Sequence, residues 1–128
     1  MSISSDHKNC RAEHDLLGER TIPEDAYWGV HTLRALENFR FTSHRVPPPL
    51  ILGIAQVKKA CCLANMELGY LDRRLGAAIS AACDDVLSGG LDGQFPLDAL
   101  QGGAGTSTNM NVNEVLANRA LELLGHRR

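Results

Sequence analysis

The sequence has no apolar run long enough to cross a bilayer. Its longest, from Leu50 to Ala55, falls far short of the roughly 20 residues a spanning helix needs. It has no excess of one charge either. Thirteen basic and fifteen acidic side chains leave a net charge of -2, so neither a nucleic acid nor an anionic membrane surface is indicated as a partner. Its four cysteines show no paired-knuckle spacing. Cys61 and Cys62 are adjacent, which suits neither a mutual disulfide nor a zinc site, and they read as small apolar residues of a reducing compartment. The first residues are polar and carry acids, unlike a secretory signal, so the expected location is cytoplasmic. What remains is ordinary for one soluble domain. Hydrophobic residues make up 44% of the 128 and charged residues 22%, which argues against disorder and against a disulfide miniprotein.

Along the chain, residues 1–10 read as a mobile tail. The segment from Arg11 to Thr42 is broken by Gly18, Pro23 and Gly29. A short helix is expected after Pro23, started by Thr21 or Glu24-Asp25, and another from His31 to Phe39. Three prolines, 47–49, precede a helix predicted over Leu50–Leu68. Its apolar positions 50, 54, 57, 61, 64 and 68 follow helical spacing, and Gly69 ends it. Asp72 caps a second helix running to about Ser88, with Leu75, Ile79, Ala82, Cys83, Val86 and Leu87 as its stripe. The short link makes these two helices antiparallel neighbours with a seam rich in Ala and Cys. A further helix is expected from about Asn109, capped by Thr108, to Gly125. The fold class is mainly α, with at most a short β-hairpin near the N-terminus.

The chemistry concentrates in residues 101–111. Three glycines, Gly102, Gly103 and Gly105, let the backbone turn sharply, and Thr106, Ser107, Thr108 and Asn109 follow at the mouth of a helix. Free N–H groups at a helix start favour an anion, and neutral hydroxyl and amide donors suit a carboxylate. A phosphate loop of the common kind would add a Lys, and a dinucleotide fingerprint would follow a strand; neither is present. The plain alternative is an N-capped helix after a glycine loop. Asn109, Asn111, Asn113 and Asn118 are unusual in a helix and indicate hydrogen bonding, either to backbone carbonyls or in support of a site. His31 and Arg34 share a helix face, and Arg34 could hold a carboxylate through both nitrogens or make an ordinary salt bridge. His7, Cys10 and His14 lack a fourth ligand, so no metal is assigned. Thr106 and Ser107 have no base and orienting partner at recognisable spacing, which argues against covalent catalysis.

Residues 103–111, Gly-Ala-Gly-Thr-Ser-Thr-Asn-Met-Asn, and the segment from Asn113 to Ala120 resemble the aspartase/fumarase superfamily. Arg11-x-Glu13-x-Asp15-Leu16-Leu17-Gly18, the stretch from Pro23 to Ala35, and Gln94-Phe95-Pro96-x-Asp98 add to the likeness, which covers residues 11–128. His31-Thr32 and Thr106-Ser107 sit closer to the aspartate ammonia-lyase pattern than to class II fumarase, which typically has Gln-Thr and Thr-Gln there. The resemblance implies a helical domain of the lyase fold and a small dicarboxylate substrate. It also implies reversible β-elimination of ammonia from L-aspartate to give fumarate, with no cofactor. Thr106 would contact the substrate carboxylate, Ser107, Thr108 and Asn109 would shape the loop, and His31, Arg34 and, more weakly, Arg20 would support the site. The family's catalytic serine, in a flexible Gly-Ser-Ser-x-x-Pro-Gly-Lys loop, has no counterpart in the sequence. The segment for the central helical bundle that builds the family's homotetramer is also lacking. The expectation is therefore an N-terminal domain truncated before that bundle, inactive alone and monomeric or weakly associating. A class II fumarase fragment and a non-catalytic solitary domain are the alternatives.

Overall fold

The computed structural model describes residues 9–128. Two antiparallel strands, β1 (Cys10–Asp15) and β2 (Gly18–Pro23), precede four helices: α1 (Val30–Asn38), α2 (Pro48–Glu67), α3 (Arg73–Leu87) and α4 (Thr106–Leu123). A single 3₁₀ turn, Asp92–Gln94, lies between α3 and α4. The mainly helical fold with a short N-terminal hairpin is the one expected. Most of the proposed tail lies outside the described residues, but Cys10 opens β1 and the Asn9 carbonyl accepts the Glu24 N–H at 2.8 Å. No helix follows Pro23: residues 18–23 pair with β1 in a register that sets Arg11 opposite Ile22 and Asp15 opposite Gly18. Proline's missing N–H is harmless at the end of this two-stranded edge.

Arg11 fastens the hairpin to the helical body. Its guanidinium donates to the carbonyls of Pro23, Ala26 and Trp28 at 3.1, 2.7 and 2.9 Å. Gln94 does the same from the other side, accepting the Tyr27 N–H through its side chain and the Asn111 amide through its backbone. Asp98 closes the long connection after α1 by accepting the N–H groups of Phe41 and Leu100 and the Thr42 hydroxyl. The motif residues 94–98 are thus structural.

The core is formed by α2, α3 and α4, with Val86, Val112, Val115 and Leu97 almost fully buried. Each such side chain contributes about 1.5–3 kcal/mol by leaving water. Helix α3 starts as expected, with the Asp72 carboxylate accepting the Arg74 and Leu75 N–H groups. Of its stripe Ala82, Cys83 and Val86 are buried, Ile79 and Leu87 half-buried and Leu75 exposed. Helix α2 departs from expectation. It buries Ile51, Ala55 and Cys62, whereas Leu50, Val57 and Leu68 of the expected stripe are exposed. The seam with α3 is made by small groups, Ala55 and Cys62 against Gly76, Ala78 and Ala82, so the two axes approach on the less bulky face. Cys62 donates its S–H to the Gly76 carbonyl, while Cys61 next to it is exposed. Among the described residues no helix is long and apolar enough to cross a membrane.

Candidate functional site

A cleft of about 390 Å³ opens between α1 and the start of α4. His31, Arg34 and Phe39 line one wall, and Gly102, Gly103, Thr106 and Ser107 the other. A larger cleft of about 470 Å³ lies between the start of α2 and the end of α3, lined largely by apolar groups such as Val46, Ile51 and Phe95, with Arg45, Ser88 and Asp92 beside them.

The second wall follows from local backbone conformation. Gly103, Ala104 and Gly105 have φ of 77°, 54° and 82°, all left-handed. Ala104 tolerates this at a cost of about 1 kcal/mol, which the two glycines avoid. The consecutive left-handed residues start α4 at Thr106, earlier than the sequence reading placed it. Thr108 is therefore inside the helix and not its cap. It is buried, and both its N–H and its hydroxyl donate to the Gln101 side-chain oxygen, at 3.1 and 3.0 Å. Asn109 points toward α2, accepting from Lys58 at 2.9 Å. Neither side chain reaches the cleft. Thr106 is exposed there, its hydroxyl donating to the Gly103 carbonyl at 2.7 Å. The Ser107 N–H, in the first turn, has no hydrogen-bond partner among the described residues. Ser107 lines the cleft at the positive end of the α4 dipole, an arrangement that favours an anion.

The first wall is held differently. Arg34 grips a carboxylate with two nitrogens, but the carboxylate is Asp15, at 2.7 and 2.6 Å. Arg34 also donates to the Gly18 carbonyl at 3.0 Å. It thereby ties the hairpin turn to α1, and its hydrogen bonds hold the Asp15 carboxyl down at about 2. His31 is exposed at the cleft rim. Arg20 stands outside the cleft, 3.6 Å from Glu37. Asn111 and Asn118 donate to the carbonyls of Gln94 and Tyr27, so these amides serve the core. Among the described residues no group of His, Cys, Asp and Glu converges to hold a metal ion, and His7 lies outside them.

Glu114 was not singled out from the sequence for a role of its own. It accepts the N–H and hydroxyl of Thr32, both at 2.8 Å, and the His31 N–H at 3.3 Å. Burial pushes its carboxyl up, against the lowering effect of these donors. The readable signal was Gly29: a helix that begins after a glycine brings no side-chain cap of its own and must find one elsewhere.

The profile of a family described as lyase matches residues 18–128. The chain belongs to that lyase family. It is 56% identical over 115 residues to an aspartate ammonia-lyase of a Bacillus species, covering 90% of this chain and 25% of the relative. A class II fumarate hydratase of Chromobacterium violaceum is 54% identical over 121 residues, covering 94% and 26%. Among solved structures, a Brucella melitensis protein titled fumarate lyase:delta crystallin superposes with a TM-score of 0.90 at 54% identity, over 94% of this chain and 28% of that one. This lyase-family chain therefore spans about a quarter of the length of the relatives it matches.

Proposed function

We propose that the chain supplies one wall of a dicarboxylate site of the aspartate ammonia-lyase kind, serving reversible elimination of ammonia from L-aspartate to give fumarate. The observation that carries this reading is the cleft in which Thr106, Ser107 and the start of α4 face His31. In the elimination, loss of the Cβ proton spreads negative charge onto the adjacent carboxylate. Donors already aimed at that carboxylate stabilise the charge as it develops. The Ser107 N–H and hydroxyl and the α4 dipole are such donors, and the Thr106 hydroxyl joins them when its proton turns from the Gly103 carbonyl to the substrate. Arg34 keeps its position by its bond to Asp15 and shapes the wall without meeting the substrate. The proton acceptor comes from elsewhere, because the cleft presents no base with an orienting partner.

Hydration of fumarate is the second reading, favoured by the 54% identity to a class II fumarate hydratase. Both reactions pass through charge on the same carboxylate, so this wall serves either. The test is a chimera in which residues 11–128 replace the matching quarter of the Bacillus aspartate ammonia-lyase. Fumarate formation from L-aspartate, followed by ultraviolet absorbance, is expected from the chimera and not from the 128-residue chain alone. Malate formation without deamination would favour the hydratase. A well-folded chimera with neither activity would overturn the proposal.

A further inference from the structure

Helix α1 begins without a cap of its own. Gly29 has no side chain, yet the N–H groups of the first turn are all satisfied. Val30 donates to Glu13 at 2.8 Å, His31 and Thr32 donate to Glu114, and Leu33 donates to the Gly29 carbonyl at 3.0 Å. Two of these acceptors are carboxylates from other elements, one on β1 and one on α4. The local backbone has been shaped around them: a Cβ at Gly29 would stand 2.2 Å from one Glu114 oxygen and 2.6 Å from one Glu13 oxygen. A Ser or Asp at position 29 would bring a local cap only by displacing both carboxylates. Such a cap would do nothing to set the distance between α1 and α4.

Glu114 does act on that distance. It lies two turns along α4 from Thr106, roughly 12 Å at 1.5 Å per residue, and the helix between them is rigid at that scale. Its carboxylate grips the end of α1 on which His31 sits, one turn before Arg34. No ion pair to Glu114 occurs among the described residues, so backbone N–H groups and the Thr32 hydroxyl are what it binds. The groups facing it are Glu13 from β1, which also holds Arg11, and His31 from α1. We propose that Glu114 is a positioning residue: by capping α1 from α4, it sets the His31 wall of the cleft against the Thr106 wall. The proposal rests on the dicarboxylate reading only for what the cleft is for; the positioning itself is a statement about geometry.

The test uses the 128-residue chain and nuclear magnetic resonance. The Phe39 ring approaches Gly102 across the cleft, with two ring carbons 3.6 and 3.7 Å from where a Cβ at Gly102 would stand. The ring-to-Gly102 Overhauser contact therefore reports the gap between the walls. In Glu114→Ala that contact is expected to vanish, while the carbon shifts of residues 33–38 stay helical. Glu114→Gln keeps one acceptor for Thr32 and should restore the contact. Should Glu114→Ala fail to fold, Thr32→Val carries the test, since it removes one hydroxyl and leaves the carboxylate in place. Its amide-shift changes are expected on both walls, at 29–34 and at 102–107. An undiminished Phe39–Gly102 contact in folded Glu114→Ala, or changes in Thr32→Val confined to α1, would overturn the proposal and leave Glu114 as a local cap. A lost contact in a chain whose chimera makes no fumarate would instead keep the positioning and remove the dicarboxylate reading.

Discussion

Helices α2 and α4 both contribute to the core, yet they are held there by different physics. Helix α4 buries Thr108 and Asn111 along with Val112 and Val115, and it binds its neighbours through directional contacts. Glu114 reaches α1, Asn118 reaches the Tyr27 carbonyl, and Arg119 reaches Asp85 on α3 at 2.6 Å. Among the described residues no buried side-chain nitrogen or oxygen is left without a partner. Helix α2 buries only Ile51, Ala55 and Cys62, packs through small residues, and turns Leu50, Val57 and Leu68 outward. One helix is fixed in position and rotation by buried polar contacts that tolerate little displacement. The other is held mainly by close approach of small residues, its polar ties to α3 and α4 being those of Lys58, Lys59 and Cys62, and its outer apolar face is uncovered in this chain. The cleft is built on the first kind.

That contrast breaks most easily at Gly29. Gly29→Ala must displace both carboxylates that cap α1. It is expected to destabilise the chain by about 3 kcal/mol, as overpacking combined with disturbed charged hydrogen bonds. Urea unfolding measures this, and an unchanged midpoint would mean the carboxylates move aside freely. Thr32→Val removes a buried hydroxyl donor and leaves the Glu114 carboxylate short of one bond, for a loss of about 1.5–3 kcal/mol in the same assay.

Acid supplies a sharper probe, because the carboxylates respond with opposite signs. Asp15 and Asp98 sit at about 2, held down by Arg34 and by the Thr42 N–H respectively. Both are depressed below the ordinary value near 4, so their contribution is complete above about pH 4 and is lost as pH falls toward 2. Glu114 is raised by burial, so its protonation favours the folded state as pH falls. Thermal melts should show stability falling between about pH 4 and 2, with a shallower fall in Asp98→Asn. A fall of equal steepness in that variant would remove Asp98 from the account. The smallest effect belongs to α2. Val57→Ser and Leu68→Ser are expected to change stability by no more than about 0.5 kcal/mol, being on the exposed face. They should also reduce any concentration-dependent association seen by light scattering. A loss above 2 kcal/mol would mean that α2 is buried on the other face.

How much of this was legible from the sequence follows the same divide. The extents of α1, α2 and α3 and the Asp72 cap were readable from spacing and turn residues. The buried face of α2 was not, because that helix is apolar nearly all round and its periodicity selects no side. The bulkier stripe was the natural choice, but close approach through Ala55 and Cys62 prevailed. That the loop at 101–109 turns sharply into a helix was legible. Its internal division was not: three left-handed residues begin α4 early, and Gln101 takes Thr108 into the core. Arg34 was read either as holding a carboxylate or as making an ordinary salt bridge, and the fold shows the salt bridge, to Asp15. Glu114 carried no role that the sequence could show, since its partners are more than 80 residues away.

The claim that the cleft between α1 and the start of α4 holds a dicarboxylate is tested most directly by turnover in the chimera, with Thr106→Val measured beside Ser107→Ala. Thr106→Val keeps the side-chain shape and removes a hydroxyl from the developing charge. It is expected to slow fumarate formation about a hundredfold to a thousandfold. Ser107→Ala retains the Ser107 N–H and should cost less. Near-normal turnover in both variants, with circular dichroism unchanged, would contradict the account and place the substrate carboxylate outside this cleft.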